Sequence, residues 1–135
     1  MNPTNFGLFR REFGDIIVDI RDGDGSGQPS TITTTRKTIQ LINDQHISVT
    51  EKITPSGTVD QFQHDWILAA DRYIKFHSES HPLDKRYQTP TEPYHIHHSG
   101  QFSSLNRLSN TAHRDLFTIL EMIRIHFLAS DIRDQ

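Results

Sequence analysis

The sequence predicts an α+β domain in which an antiparallel β-sheet meander packs against an N-terminal and a C-terminal α-helix. Apolar residues recur at helical spacing near both ends of the chain, and between residues 31 and 80 they alternate with polar residues. The length of 135 residues fits one domain, and we assign residues 1–135 to it.

The first predicted helix covers the segment from residue 6 to residue 20. Its apolar residues follow one another at intervals of three and four, apart from one adjacent pair, which places them on one helical stripe: Phe6, Phe9, Phe13, Ile16, Ile17 and Ile20. Thr4 or Asn5 would cap it. A short strand over residues 15–20 is the alternative, because β-branched residues favour strands.

Five extended segments follow. Alternation and β-rich composition indicate strands at 38–42, 46–53, 59–66 and 73–77, and a shorter one at 94–98. Short connections between the first four predict a meander. In the strand at 46–53, Ile47, Val49 and Glu51 should share one face. In the strand at 59–66, Phe62, His64 and Trp66 should share one face, and Gln61, Gln63 and Asp65 should lie on the other.

Residues 100–107 are predicted as a loop, followed by the second helix. Ser109, Asn110 and Thr111 offer N-caps, and Asp115 suits the first turn because its charge complements the helix dipole. Apolar residues then continue at helical spacing to about Ala129.

Composition excludes several classes of chemistry. The chain has no cysteine, which removes disulfides, thiolate nucleophiles and cysteine-ligated metals. No basic flank with an apolar segment marks a signal peptide, and no apolar run approaches the ~18 residues that span a bilayer. We therefore expect a cytoplasmic protein without a membrane partner. The formal net charge of −3 argues against binding nucleic acid through bulk charge.

Histidine is the most informative residue type. The chain has 9 histidines, and five of them lie between His77 and His98. His95 and His97 are two residues apart, so a strand would point both imidazoles to one face and His98 to the other. His77 and His81 lie at the end of an earlier predicted strand, and the chain can fold back so that either side chain approaches His95 and His97.

Three interpretations of this cluster remain open. His95 and His97 can bind a divalent metal with a third ligand from His77, His81 or Glu79. They can instead act as general acid and base on an RNA 2′-hydroxyl, with the phosphate neutralised by Lys75, Arg72, Lys85 or Arg107. They can also be structural residues that hydrogen-bond to loops. Away from the cluster, His46 and His64 are expected at solvent-facing or edge positions, and Trp66 in the core or on a sheet face.

Taken in order, these elements resemble TumE-type toxins of prokaryotic toxin–antitoxin systems. The resemblance covers about residues 39–127. The segments that carry it are Phe62-Gln63-His64-Asp65-Trp66, Tyr73-Ile74-Lys75-Phe76-His77, His81-Pro82, Pro93-Tyr94-His95-Ile96-His97-His98, and Asp115-Leu116 with Glu121-Met122-Ile123.

The resemblance implies a toxin that acts on RNA and is neutralised by a cognate antitoxin protein. Combined with the clustered imidazoles, it suggests an endoribonuclease that needs no cofactor, although a divalent metal at His95 and His97 is compatible with the spacing. The expected catalytic residues are His77, His81, His95 and His97, and the expected substrate-binding residues are Lys75, Tyr94 and Arg107.

Two rival interpretations stay open from the sequence. The chain can be a non-enzymatic protein-interaction domain, or a metal-dependent enzyme on a small substrate with a His-x-His site. A homodimer is compatible with each of these functions.

Overall fold

The computed structural model describes residues 1–79, 88–100 and 107–133 and has an α+β architecture. Its elements in chain order are α1 (Phe6–Glu12), β1 (Ile17–Asp22), β2 (Thr34–Leu41), β3 (His46–Ile53), β4 (Val59–Ala69), β5 (Arg72–His77), β6 (His95–His98), β7 (Arg107–Ser109) and α2 (Leu116–Arg133).

The seven strands form one sheet in which spatial order equals chain order. Every neighbouring pair is antiparallel. The predicted fold class, a meander with one helix at each end of the chain, is therefore confirmed.

The core lies between one face of the sheet and the two helices. Alternate strand residues point into it, as strand geometry requires. Aromatic rings of α1 and α2 meet there, with Phe9 and Phe117 at 5.8 Å between ring centroids. Its buried members include Ile39, Ile47, Val49, Phe62, Trp66, Phe76, Leu116, Ile119, Leu120 and Ile123. The opposite face of the sheet carries the polar half of each strand.

The long N-terminal helix was a wrong prediction, and its strand alternative was closer. Asn5 caps α1 by accepting a hydrogen bond from the Leu8 N–H (3.1 Å), but the helix ends at Glu12. The segment from Ile17 onward pairs with β2, and Ile20 lies opposite Ile39. The apolar residues suit either structure, and the β-branched run gains backbone hydrogen bonds to β2 by joining the sheet edge, with a register shift between Ile17 and Asp19.

The second helix begins later and ends later than predicted. Asp115 caps it by accepting from the Thr118 N–H (2.9 Å). Ser109, a predicted N-cap, instead belongs to β7, a strand that was not predicted and of which only Arg107 lay in the predicted loop. The Asn110 side chain bridges to the His113 backbone. In the part of the chain that the structure describes, no helix combines the length and apolarity needed to cross a membrane.

A buried polar network joins the N-terminal segment to the sheet. Glu51 and His64 are both 0 % exposed, and their Oε2 and Nε2 atoms are 2.8 Å apart. The Thr4 hydroxyl and N–H both donate to the same carboxylate. The prediction of a solvent-facing or edge position for His64 is thus wrong, because the alternation that buries Phe62 and Trp66 also buries the residue between them.

Because of this network, the free energy of unfolding should fall as the pH becomes acidic. Burial disfavours the charged form of Glu51, but the hydrogen bonds and charge of His64 and the hydrogen bonds from Thr4 outweigh it and lower the pKa of this carboxyl. A lowered folded-state pKa means that the stabilisation is present above the ordinary glutamate value of 4.5 and is lost as the pH falls through the folded-state value.

We predict that Glu51→Gln lowers the free energy of unfolding at pH 7 by about 1–3 kcal/mol, because a charge-assisted hydrogen bond is lost in a buried site. The variant should also lose less stability than the parent between pH 6 and pH 3. Urea unfolding at several pH values measures both effects. Glu121→Gln, at an exposed position of α2, is the control; equal pH dependence in all three proteins would contradict the assignment.

Candidate active site on the sheet face opposite the helices

Two adjacent rows of residues cross strands β4 to β7 on the face opposite the helices. Cross-strand partners share a face, so the registers place Asp65, Lys75, His97 and Arg107 in one row. The next row contains Gln63, His77, His95 and Ser109. Cation, carboxylate and imidazole groups therefore gather on one polar surface.

Three imidazoles converge within these rows. His77, His95 and His97 each offer a ring nitrogen, and these atoms all lie within 4.8 Å of one another. The His97 ring centroid is 4.8 Å from that of His95 and 4.8 Å from that of His77. The structure thus brings together three of the four predicted catalytic residues. The fourth, His81, lies outside the described residues.

His95 forms the buried floor of the cluster. It is 0 % exposed, and its Nδ1 lies 3.0 Å from the Pro93 carbonyl oxygen. A carbonyl only accepts, so Nδ1 carries the hydrogen, and the Nε2 atom of the neutral ring keeps its lone pair. Nε2 is 3.1 Å from Nε2 of His97, which must then be the donor between the two rings.

A carboxylate orients His77. Its Nε2 donates to Asp65 Oδ1 across 2.8 Å, which leaves Nδ1 of the neutral ring as the lone-pair atom. His77 and His97 are partly exposed, in contrast to His95. These two rings are the ones that a substrate lying on the sheet can reach.

Charged groups adjust the proton affinity of His95. Its pKa is lowered, first by burial and then by the positive charge of Arg107 and by His77, while Glu92 and the Pro93 carbonyl oppose the shift. Glu92 Oε1 lies 3.4 Å from His95 Nδ1 and 3.7 Å from an Arg107 terminal nitrogen. At neutral pH the His95 imidazole is therefore neutral.

The predicted substrate-binding residues separate into two groups. Lys75 and Arg107 are the cross-strand neighbours of His97 on either side. The Lys75 ammonium lies 4.6 Å from the centre of the Tyr73 ring and makes a cation–π contact with it. Tyr94 instead packs near Phe62 on the core side, with the Arg114 guanidinium 4.2 Å from its ring centre.

His98 faces away from the cluster, as strand alternation predicts. It is 6 % exposed and lines a cavity of about 430 Å³ together with Ile74, Phe76 and Ile96 on the helix side. The adjacent residues His97 and His98 of β6 therefore point to opposite faces of the sheet.

Sequence analysis missed Asp65 and Glu92 as members of the site. Alternation in β4 places Asp65 on the face opposite Phe62 and Trp66, which was a usable signal. The register between β4 and β5 decides its contact with His77, and no local pattern specifies that register. Glu92 reaches the site from the segment before β6, where no periodicity applies.

Comparisons with known proteins identify no relative of this chain: no protein-family model, no curated protein and no solved structure matches it. The likeness to TumE-type toxins accordingly stays a prediction from short sequence motifs.

The hydrogen bonds predict defined tautomers for two of the histidines. In the neutral rings, we expect His95 to be protonated at Nδ1 and His77 at Nε2, because each hydrogen faces an oxygen that only accepts. Long-range ¹H–¹⁵N correlation spectra of the metal-free protein distinguish the tautomers. A His95 ring protonated only at Nε2 would contradict the described geometry.

Proposed function

We propose that this chain is the cytoplasmic toxin of a toxin–antitoxin pair and that its histidine cluster cleaves RNA as an endoribonuclease. The observation that carries the proposal is the convergence of His77, His95 and His97 on a polar sheet face, with Lys75 and Arg107 as the cross-strand neighbours of His97. Imidazoles serve as both acid and base near neutral pH, which is what phosphodiester transfer to a 2′-hydroxyl requires.

The two partly exposed rings, His97 and His77, each carry out one of the two proton transfers. His97 takes the proton of the 2′-hydroxyl while the oxygen attacks the adjacent phosphorus, and the P–O5′ bond breaks. The protonated form of His77 gives its Nδ1 proton to the leaving 5′-oxygen, so the products are a cyclic phosphate and a free hydroxyl. The buried His95 acts as a positioning residue, since its Nε2 accepts the Nε2–H of His97 and thereby leaves Nδ1 of the neutral His97 ring as the proton acceptor.

Positive charge stabilises the phosphate during this transfer. Lys75 and Arg107 flank His97 in the same row. The partly exposed Lys75 would contact a phosphate beside that ring directly, whereas the Arg107 side chain is 6 % exposed and lies 3.7 Å from Glu92 Oε1, so it would contribute positive charge from behind the ring. This local charge offsets the formal net charge of −3, which would otherwise repel RNA. The substrate is therefore held by a local surface of the sheet.

Cleavage of RNA by the purified chain tests the site. We expect His97→Ala and His77→Ala each to reduce the cleavage rate by about 10²- to 10⁴-fold, the usual contribution of a general acid or base. His126→Gln, at an exposed position of α2, should retain the parental rate. Since the chemistry uses imidazoles alone, cleavage should continue in EDTA. Full cleavage by the His77→Ala/His97→Ala double variant would refute the assignment.

Expression in bacteria tests the biological part of the proposal. Expression of the parental chain should arrest growth, expression of His97→Ala should not, and co-expression of the adjacent gene should relieve the arrest. Harmless expression of a folded protein that also lacks nuclease activity would instead favour the protein-interaction function.

A further inference from the structure

We infer that His77, His95 and His97 form a three-imidazole site for one divalent transition-metal ion of the zinc type. This inference goes beyond RNA cleavage, because it concerns an ion that the proposed acid–base chemistry does not use. It depends on the relative positions of the ring nitrogens and on the groups behind them.

The spacing of the nitrogen atoms suits one ion. Two nitrogens bound to a tetrahedral zinc at about 2.0–2.1 Å are about 3.3 Å apart. The Nε2 atoms of His95 and His97 are already 3.1 Å apart, and the third ligand atom is within 4.8 Å of both. His77 is the partly exposed last residue of β5, so a small joint movement of its side chain and of Asp65 can shorten the longer separations while their hydrogen bond is kept.

The groups behind the rings are those that support metal-binding histidines. In such sites, each ligating ring usually donates its other N–H to a carboxylate or a backbone carbonyl, which fixes the tautomer and raises the basicity of the ligand nitrogen. His77 donates to Asp65 and His95 donates to the Pro93 carbonyl. In both rings, the nitrogen left with a lone pair is the one available to the ion.

The ligand set selects the kind of ion. Three neutral imidazoles suit zinc, cobalt, nickel and copper, whereas magnesium and calcium require oxygen ligands. Because His77 and His97 border an accessible face of the sheet, a fourth position is open to water or to a phosphate oxygen.

The consequence for activity rests on the proposed function. A bound ion occupies the lone pairs that proton transfer needs, so the metal-loaded cluster cannot act as general acid and base. Zinc is then an inhibitor of RNA cleavage, and its removal activates the protein.

Cobalt and zinc titrations of the metal-free protein test the site without RNA. We expect one Co²⁺ per chain with the visible absorption of a tetrahedral nitrogen site, and displacement by one Zn²⁺ in calorimetry. His97→Ala and His77→Ala should each weaken binding by more than about 100-fold, and Asp65→Asn by about 10- to 100-fold. His126→Gln is the matched control and should bind like the parent. Circular dichroism verifies that each variant is folded.

Equal metal affinity in the parent and in folded His77→Ala and His97→Ala would overturn the inference, because binding would then belong to other histidines. Absence of binding by the folded parent would overturn it as well. A cleavage assay separates this outcome from failure of the proposed function. Cleavage without metal affinity would refute the metal site alone, and metal affinity without cleavage would refute the nuclease alone.

Discussion

The antiparallel pairing of β5 with β6 is the constraint on which the histidine cluster depends. Its register places His77 opposite His95 and Lys75 opposite His97, so two strands of six and four residues supply all three imidazoles and one of the two cations. A shift of one residue in either strand would turn that strand's members of the set to the core and would bring Phe76 of β5 or Ile96 of β6 onto the polar face. The buried position of Phe76 holds the register, since its displacement from the core would cost free energy.

Packing of both helices on one side of the sheet leaves the other side available for chemistry. The helix side takes up the apolar half of each strand and also holds the buried pair of Glu51 and His64. The polar face then needs no apolar cover, and partly exposed groups there, such as Lys75 and Asp65, keep contact with water, which limits their desolvation cost. The Arg107 and His95 side chains of this face are buried. The Arg107 side chain is 6 % exposed and lies beside the Glu92 carboxylate, and a backbone carbonyl and the neighbouring ring satisfy the two nitrogens of His95.

Features that follow from the alternation of residues along one strand could be predicted from the sequence. Alternation predicted the meander, the shared face of His95 and His97, and the opposite placement of His98, because each follows from strand geometry alone. It was insufficient where two segments distant in sequence meet. The contact of Asp65 with His77, the approach of Glu92 to Arg107, and β1 in place of a longer helix all depend on register or on competition for a sheet edge. The contact of Glu51 with His64 could not be predicted either. Alternation gives the face of each residue, but only the pairing of β3 with β4 brings the two side chains together.

The arrangement of hydrogen atoms in the cluster links the two proposed activities. Proton transfer and metal binding both require a ring nitrogen with an available lone pair, and the Pro93 carbonyl and Asp65 determine which nitrogen that is in His95 and His77. The hydrogen shared between the Nε2 atoms of His95 and His97 occupies the place between two ligand atoms where an ion would lie. Occupation by a proton and by a metal ion are therefore mutually exclusive. Because imidazole ligands must be deprotonated to bind, acid favours the metal-free state of the cluster.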